Sequence, residues 1–462
     1  MRGVRLLVVL AFVATASRVA AQEAPPPAAK ATPPDAKRIK LTLSGGGELN
    51  VSGEVGVVAV GRDDLFGGEP GETGDEGDVR VEPRLRLDLE LKGIADRPLD
   101  FALRVVNRRR RELATADDKD AGRRVASPNA LEPRAERAYF ELGKLIGPEW
   151  SLRAGLQNLR YELRTHGEAL FMNLARAESP IDGAPISTGA GVRGTRRWFV
   201  LDQPLDVDVF ALETLESEAL HGGELVWGVN ADLLIRGPAD GVDNLANAIA
   251  CVMSRGDDQV GTLGGGVDWH LSRYWELFGE LYGQIGERVI ARRTRDHRAW
   301  SGAVGARRTW WNLRSEPYLE AGAVYVSGGD PDGSHSRDFA SYENVETFKI
   351  LEDDDFGTDV DRNYWSLRLR AGLDLSPAIG EKVLFEVLYG YFRRATHERG
   401  RDDALGHEVD LRLTWKATDA LDLTLGGAAL FDARHFADRP PGRGGSGSDR
   451  ALLLYLEAVL RF

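Results

Sequence analysis

The sequence contains few of the residues that mark several large protein classes. It has 462 residues but only one cysteine, Cys251, and three methionines. A single cysteine excludes an internal disulfide, and its distance from the N-terminus excludes a lipid-modified cysteine there. The one clear apolar run, residues 6–14, is too short for a permanent transmembrane helix. None of the eight histidines lies in an HExxH sequence, and no Ser, His and Asp residues share a catalytic spacing. We therefore expect neither a helical membrane protein nor an enzyme, and no cofactor.

The N-terminus has the features of a secretory signal. Arg2 and Arg5 precede the apolar run, and small residues at positions 19–21 predict a signal peptide of residues 1–21, cleaved after Ala21. Its removal takes away three arginines and no acidic residue, which changes the formal net charge from −13 to −16. Residues 22–38 are rich in proline and alanine and predict a disordered periplasmic leader. Residues 39–462 then form the folded part. An exported acidic chain is not expected to bind nucleic acid.

Composition and pattern both favour β-structure after residue 38. The chain has 53 glycines and 10 tryptophans, and period-2 alternation of apolar and polar residues recurs along some 400 residues. In residues 364–375, Trp365, Leu367 and Leu369 alternate with Ser366 and Arg368. The last eleven residues place an unbroken apolar file on every second position up to Phe462. Such strands have one apolar face and one charged face. A soluble sandwich and a membrane barrel both produce this pattern, but repetition along the whole chain favours a barrel with a wet lumen.

The connections between these strands alternate in length. Short ones, such as residues 272–273 and 417–420, separate long polar ones, including residues 237–261, 287–298 and 328–363. Short turns at one rim and long loops at the other are typical of outer-membrane barrels. We predict an all-β fold, a single transmembrane antiparallel β-barrel of roughly 16–18 strands in the bacterial outer membrane. Aromatic residues near strand ends are candidates for the interfacial girdles: Trp150, Trp198, Trp275, Trp310, Trp311, Trp365, Tyr389 and Tyr391.

Two segments resemble a known family. Residues 153–185 contain Gly155, Gln157, Tyr161 and Arg176, followed by Asp182-Gly183. Residues 325–330, Y-V-S-G-G-D, lead into a long polar loop. Both segments are similar to the alginate-export family of outer-membrane porins, although Leu156 stands where that family has an arginine. The terminal strand also resembles the closing strand of outer-membrane barrels, which implies that Phe462 is recognised by the barrel-insertion machinery and that outer-membrane lipid surrounds the protein.

The resemblance implies a pore of 18 strands that exports an anionic polysaccharide such as alginate, or related small anions, through an arginine-containing lumen. Arginine suits this role because its guanidinium forms bidentate contacts with carboxylates. The candidates for the lumen path are Arg84, Arg86, Arg104, Arg153, Arg368, Arg370 and Arg412. Carboxylates such as Glu408 and Asp410 lie on polar files too, so the alternative is a general diffusion porin whose arginines pair across strands. A barrel with a loop-borne enzymatic or structural role is a further alternative.

No metal site is predicted, because no group of ligand-type residues follows a known metal-binding spacing. Asp330, Asp332, Asp353 and Asp355 lie in an acidic stretch that also contains Glu352, and carboxylate oxygens are the ligands that calcium prefers. These residues lack the EF-hand spacing, so the stretch is better interpreted as a solvated acidic loop.

Overall fold

The computed structural model describes most of the chain from residue 39 onward. The residues it describes are 39–43, 47–63, 78–94, 98–109, 131–144, 147, 149–157, 160–161, 172–173, 189–214, 223–237, 243–290, 293–329, 336–340, 347–352, 360, 362–397, 402–437 and 449–462. The predicted signal peptide and leader lie outside these residues. Among the described residues, no helix has the length and hydropathy needed to cross a bilayer.

The described chain consists almost entirely of antiparallel strands. The strands are β1 Ile39–Thr42, β2 Glu48–Asp63, β3 Asp78–Lys92, β4 Leu99–Arg109, β5 Leu131–Gly143, β6 Trp150–Gln157, β7 Arg160–Tyr161, β8 Met172–Asn173, β9 Gly189–Val200, β10 Gln203–Thr214, β11 Leu225–Arg236, β12 Asp243–Arg255, β13 Asp258–His270, β14 Trp275–Ile290, β15 Arg293–Thr309, β16 Tyr318–Val326, β17 Tyr364–Asp374, β18 Lys382–Arg394, β19 Ala404–Lys416, β20 Leu421–Phe431 and β21 Ala451–Arg461. Two single-turn helices, α1 Ser376–Ile379 and α2 Arg434–Ala437, lie in the connections.

The strands close into a barrel of 18 strands. Each strand from β2 to β21 pairs with its neighbour, apart from the small β7–β8 hairpin, and β21 pairs back with β2. Closure pairs the backbone groups of every spanning strand with a neighbour, as a bilayer requires. The short β1 pairs with β2 at Glu48–Val51, next to the β21 pairing. At that seam Phe462 and Gly53 exchange two backbone hydrogen bonds of 2.9 and 3.0 Å.

The two faces of the strands follow the predicted alternation. On β17, Leu367 and Leu369 are exposed on the outer surface, whereas Ser366 and Arg368 are buried inside. On β21, Leu452, Leu454 and Leu456 are exposed outside. A closed barrel with an apolar outer surface is stable only when lipid covers that surface. The predictions of a transmembrane barrel and of the outer membrane as its location are therefore confirmed.

The connections are short at one rim, called here the turn rim, and mostly longer at the other, called the loop rim. Two predicted long loops are wrong. Residues 237–261 contain a complete strand, β12, and Cys251 is buried on its inner face rather than in a loop. Residues 287–298 are the ends of β14 and β15, which are joined by only two residues. The sequence did not indicate strands at residues 287–298 because these strand ends are charged on both faces, as expected for strands that protrude from the bilayer into water.

The interior of the barrel has two distinct halves. Among the described residues, inward side chains toward the turn rim are mostly charged or polar, whereas toward the loop rim buried apolar side chains pack together with buried polar ones. Phe210 and Leu212 on β10 are buried in this apolar half, while Asp206 and Asp208 on the same strand lie in the charged half. The expectation of a water-filled lumen along the whole inner face is therefore wrong for the loop half.

Candidate functional site

In the connection between β16 and β17, the described residues 336–340, 347–352 and 360 fold into the barrel and are called here the inner loop. Its described parts carry fully buried apolar side chains, including Phe348, Ile350 and Leu351. Burial of such side chains removes apolar surface from water and stabilises the loop inside the barrel. The inner loop therefore supplies part of the packed half of the interior.

One end of the inner loop is attached to the wall formed by β13, β14 and β15. Gln284 on β14 accepts a hydrogen bond from Ala340 N at 2.9 Å and donates one to Ala340 O at 2.6 Å. His297 on β15 contacts Ser336 Oγ at 3.1 Å and Gln284 Oε1 at 3.2 Å. These partners are buried, and loss of a hydrogen-bond partner by a buried polar group destabilises the folded protein. The contacts thus fix residues 336–340 against the wall.

The other end of the inner loop is held by two carboxylates of β19. Glu408 accepts hydrogen bonds from Ile350 N at 2.7 Å and Leu351 N at 2.8 Å. Asp410, two residues further on the same inner face, accepts one from Lys349 N at 3.2 Å. Three consecutive backbone N–H groups therefore point at two neighbouring carboxylates. Glu408 alone accepts two of these three hydrogen bonds, so its carboxyl group is a main anchor of residues 349–351 on the wall.

Arg368 on β17 links the inner loop to the wall through an ion pair and two cation–π contacts. Its Nη2 lies 2.5 Å from Glu352 Oε1, and its Nε donates to Ser366 Oγ at 2.9 Å. The guanidinium also lies 5.4 Å from the Phe348 ring and 5.3 Å from the Phe392 ring. Both partners of the Arg368–Glu352 pair are buried. The interpretation of Glu352 as part of a solvated acidic loop is therefore wrong, because it is the loop's counter-ion for a wall arginine.

A glycine provides the room for this contact. A Cβ on Gly390 of β18 would lie 2.7 Å from the Phe348 ring and 2.4 Å from the Phe392 ring. Those distances are shorter than real side chains tolerate, so the inner loop packs here only because position 390 has no side chain.

In the charged half, described arginines are paired with carboxylates on neighbouring strands. Arg104 Nε lies 2.5 Å from Asp88, and Arg153 Nη2 lies 2.7 Å from Glu141. Glu386 on β18 lies between two arginines, with Arg370 at 2.8 Å and Arg412 at 3.4 Å. Across β20, β21, β2, β3 and β4 the charges alternate without a break, in the order Asp422, Arg461, Glu54, Arg86, Asp88 and Arg104.

These pairs show where the structure places the predicted arginines. Arg86, Arg104, Arg153, Arg368, Arg370 and Arg412 all have a carboxylate partner. Arg84 belongs to β3, but its side chain lies outside the described residues. Five of the six are in the charged half, and Arg368 belongs to the inner-loop contact. Pairing across strands, which the sequence offered as the alternative, accounts for five of the six, and the partner of Arg368 is Glu352 of the inner loop.

The wall of β11–β14 differs from the rest of the charged half. Its inward side chains include Asp232, Asp268, Glu276 and Glu280. Asn247 donates to Asp232 Oδ1 at 2.6 Å, and Tyr282 OH donates to Glu280 at 2.9 Å. Arg236 lies at the turn rim. Apart from it, none of the described inward residues in the charged half of β11–β14 is a lysine or an arginine. We call this wall the acidic sector.

One group of possible metal ligands lies in the acidic sector. Among the described residues, Asp268, His270 and Glu276 can each offer a ligand atom within 4.8 Å of the others. His270 Nε2 lies 3.6 Å from Glu276 Oε1, so the same residues also form an ordinary polar contact. The predicted weak candidates Asp330, Asp332, Asp353 and Asp355 all lie outside the described residues.

The class of protein that this geometry defines is an outer-membrane β-barrel of 18 strands with a loop folded into its interior. No protein-family model and no curated protein matches the sequence. Solved structures of OccK porins from Pseudomonas aeruginosa share the fold. OccK8 (OprE) matches with a TM-score of 0.51 at 12% identity, over 90% of this chain and 98% of that chain. OccK10 (OpdN) matches with a TM-score of 0.50 at 15% identity, over 89% and 98%. At such identities the likeness concerns the fold, and it does not extend to the alginate-export family specifically.

Proposed function

We propose that this protein is an outer-membrane porin that passes small polar solutes by diffusion. The observation that carries the proposal is the charged half of the interior, where arginines and carboxylates alternate around the inner wall. Paired charges of both signs keep a channel hydrated without holding a single ion tightly. The inner loop narrows the opposite half, which favours small solutes over large ones.

The expected selectivity follows from the acidic sector. In the acidic sector, Asp232, Asp268, Glu276 and Glu280 share one wall. A wall of one charge sign raises the local concentration of the opposite ion in a confined path. We therefore expect a modest preference for cations, which is the reverse of what an arginine path would produce.

Planar-bilayer recordings with a salt gradient test both parts of the proposal. Wild-type protein should give open steps and a reversal potential on the cation-selective side. Asp232→Asn keeps the size of the side chain and removes one charge, so the cation-to-anion permeability ratio should fall by roughly twofold. Glu213→Gln on the outer face of β10 is the matched control and should leave the ratio unchanged. An anion-selective wild-type pore would refute the role of the acidic sector.

Export of an anionic polysaccharide, such as alginate, is the second candidate. It is supported by the inner face of β6, where Arg153 and Gln157 belong to the segment that resembles the alginate-export family. The guanidinium of Arg153 lies 4.1 Å from the Tyr139 ring, and cation and ring together form a surface suited to a sugar carboxylate. Block of the current by oligouronates, relieved in Arg153→Gln, would favour this candidate. Small cations passing without any such block would favour the general porin.

A barrel that gives no conductance steps would contradict both candidates. It would leave the third alternative, in which the loops carry a structural or enzymatic role.

A further inference from the structure

The outer surface at the turn rim carries the same three-residue arrangement twice. Arg196 on β9 is directly opposite Trp150 on β6, and Trp198 follows two residues later on the same face. Its guanidinium carbon lies 4.9 Å from the Trp150 ring and 4.8 Å from the Trp198 ring. The guanidinium is therefore held between two indoles at the edge of the apolar surface.

The second copy has identical spacing on different strands. Arg308 on β15 is directly opposite Trp275 on β14, and Trp310 follows two residues later. Its guanidinium carbon lies 5.3 Å from the Trp275 ring and 4.8 Å from the Trp310 ring. Cross-strand pairing and the period of two produce the same geometry in both places. We call each arrangement a Trp–Arg–Trp group.

These two arginines differ from the described arginines of the charged half. The latter have carboxylate partners, but no ion pair joins Arg196 or Arg308 to any carboxylate in the part of the chain that the structure describes. Within the same part, Arg196 Nε also has no hydrogen-bond partner. The neighbouring rings hold each cation by cation–π attraction but do not satisfy its N–H donors. Because Arg196 Nε is buried, the terminal Nη groups of each arginine are the donors left to bind an anion at the rim.

The membrane determines what covers the turn rim. Tryptophan rings prefer the headgroup level of a bilayer, and an outward arginine is tolerated near the interface but not at the midplane. At that level the abundant anionic group is the lipid phosphate, whose oxygens match the guanidinium fork. We propose that each Trp–Arg–Trp group binds the phosphate of one phospholipid in the leaflet at the turn rim, with the acyl chains lying along the apolar strands below it.

Native mass spectrometry of the full-length protein in detergent, with added dioleoylphosphatidylglycerol, tests this proposal. Wild-type protein should retain two tightly bound lipids. Arg196→Gln and Arg308→Gln should each lose one, with about tenfold weaker binding at the altered site. Arg273→Gln is the matched control, because Arg273 lies at the same rim but its guanidinium contacts Tyr274 rather than two tryptophans. The control should bind lipid like the wild type.

The double variant and a soluble competitor give the decisive outcomes. Arg196→Gln with Arg308→Gln should retain neither tight lipid while still migrating as a folded barrel; if the double variant does not assemble, the two single variants decide. Unchanged lipid retention in the single variants would overturn the proposal. Equal competition by glycerol 3-phosphate, which has no acyl chains, would overturn the assignment to a membrane lipid. A dimer that forms through this rim and is lost in both variants would also overturn it, in favour of a second copy of the chain.

Discussion

Removal of the Glu408 carboxylate should release the inner loop from the wall. Glu408 is fully buried and accepts hydrogen bonds from Ile350 N and Leu351 N. Glu408→Ala removes both acceptors and leaves two backbone N–H groups without them. Glu408→Gln keeps one acceptor oxygen but turns an amide NH₂ toward a donor, so its effect should lie between those of the wild type and alanine.

The size of the effect follows from these two bonds. A buried donor that loses its acceptor costs about 1–3 kcal/mol, so loss of the acceptor of two donors should weaken docking of the loop by roughly 2–6 kcal/mol. At about 1.4 kcal/mol per factor of ten, the population of the undocked loop should rise by about 30-fold to 10⁴-fold relative to the docked one. The barrel itself should persist, since its strand pairing does not involve this side chain.

Single-channel recording measures this release directly. The alanine variant should show larger and noisier conductance steps than the wild type, because the loop no longer narrows the loop half. Glu213→Gln, which removes a carboxylate from the exposed outer face of β10, should behave like the wild type. Steps of unchanged size and noise in Glu408→Ala would refute the assignment of Glu408 as the anchor of the inner loop.

Three further outcomes are expected. Leu369→Arg places a charge on the lipid-facing surface and should destabilise the barrel by about 2–4 kcal/mol, measured by urea unfolding in lipid vesicles. Ser366→Arg, on the inner face, should also be destabilising, because Ser366 is fully buried and the replacement cannot reach water; tolerance of this change would contradict the packed loop half. Deletion of Phe462 should reduce the heat-modifiable folded form in membranes, because we propose that the insertion machinery recognises this residue; normal assembly would contradict that role.

The sequence by itself determined the class of fold. Side-chain direction alternates with every residue in any strand, so the apolar files of β17 and β21 could be recognised without knowing their neighbours. An apolar outer file repeated along the chain, with one cysteine and no long apolar run, leaves few architectures other than a closed barrel. The sequence was less informative where a strand departs from the pattern. In β12 the outward file is made of small residues such as Ala248 and Ala250, so no alternation of polarity marks it as a strand.

Only the tertiary structure decided the state of the interior. The partner of an inward arginine is set by cross-strand register, which brings Glu54 beside Arg86 and Arg461 although 407 positions separate Glu54 from Arg461. The docking of the inner loop could not be predicted from the sequence for the same reason, because Glu408 and Ile350 are 58 positions apart in the chain. Alternation predicts which side chains point inward, but it does not distinguish a wet lumen from one that a distant loop fills. That difference depends on which backbone N–H groups reach the buried carboxylates, and only the folded barrel brings them together.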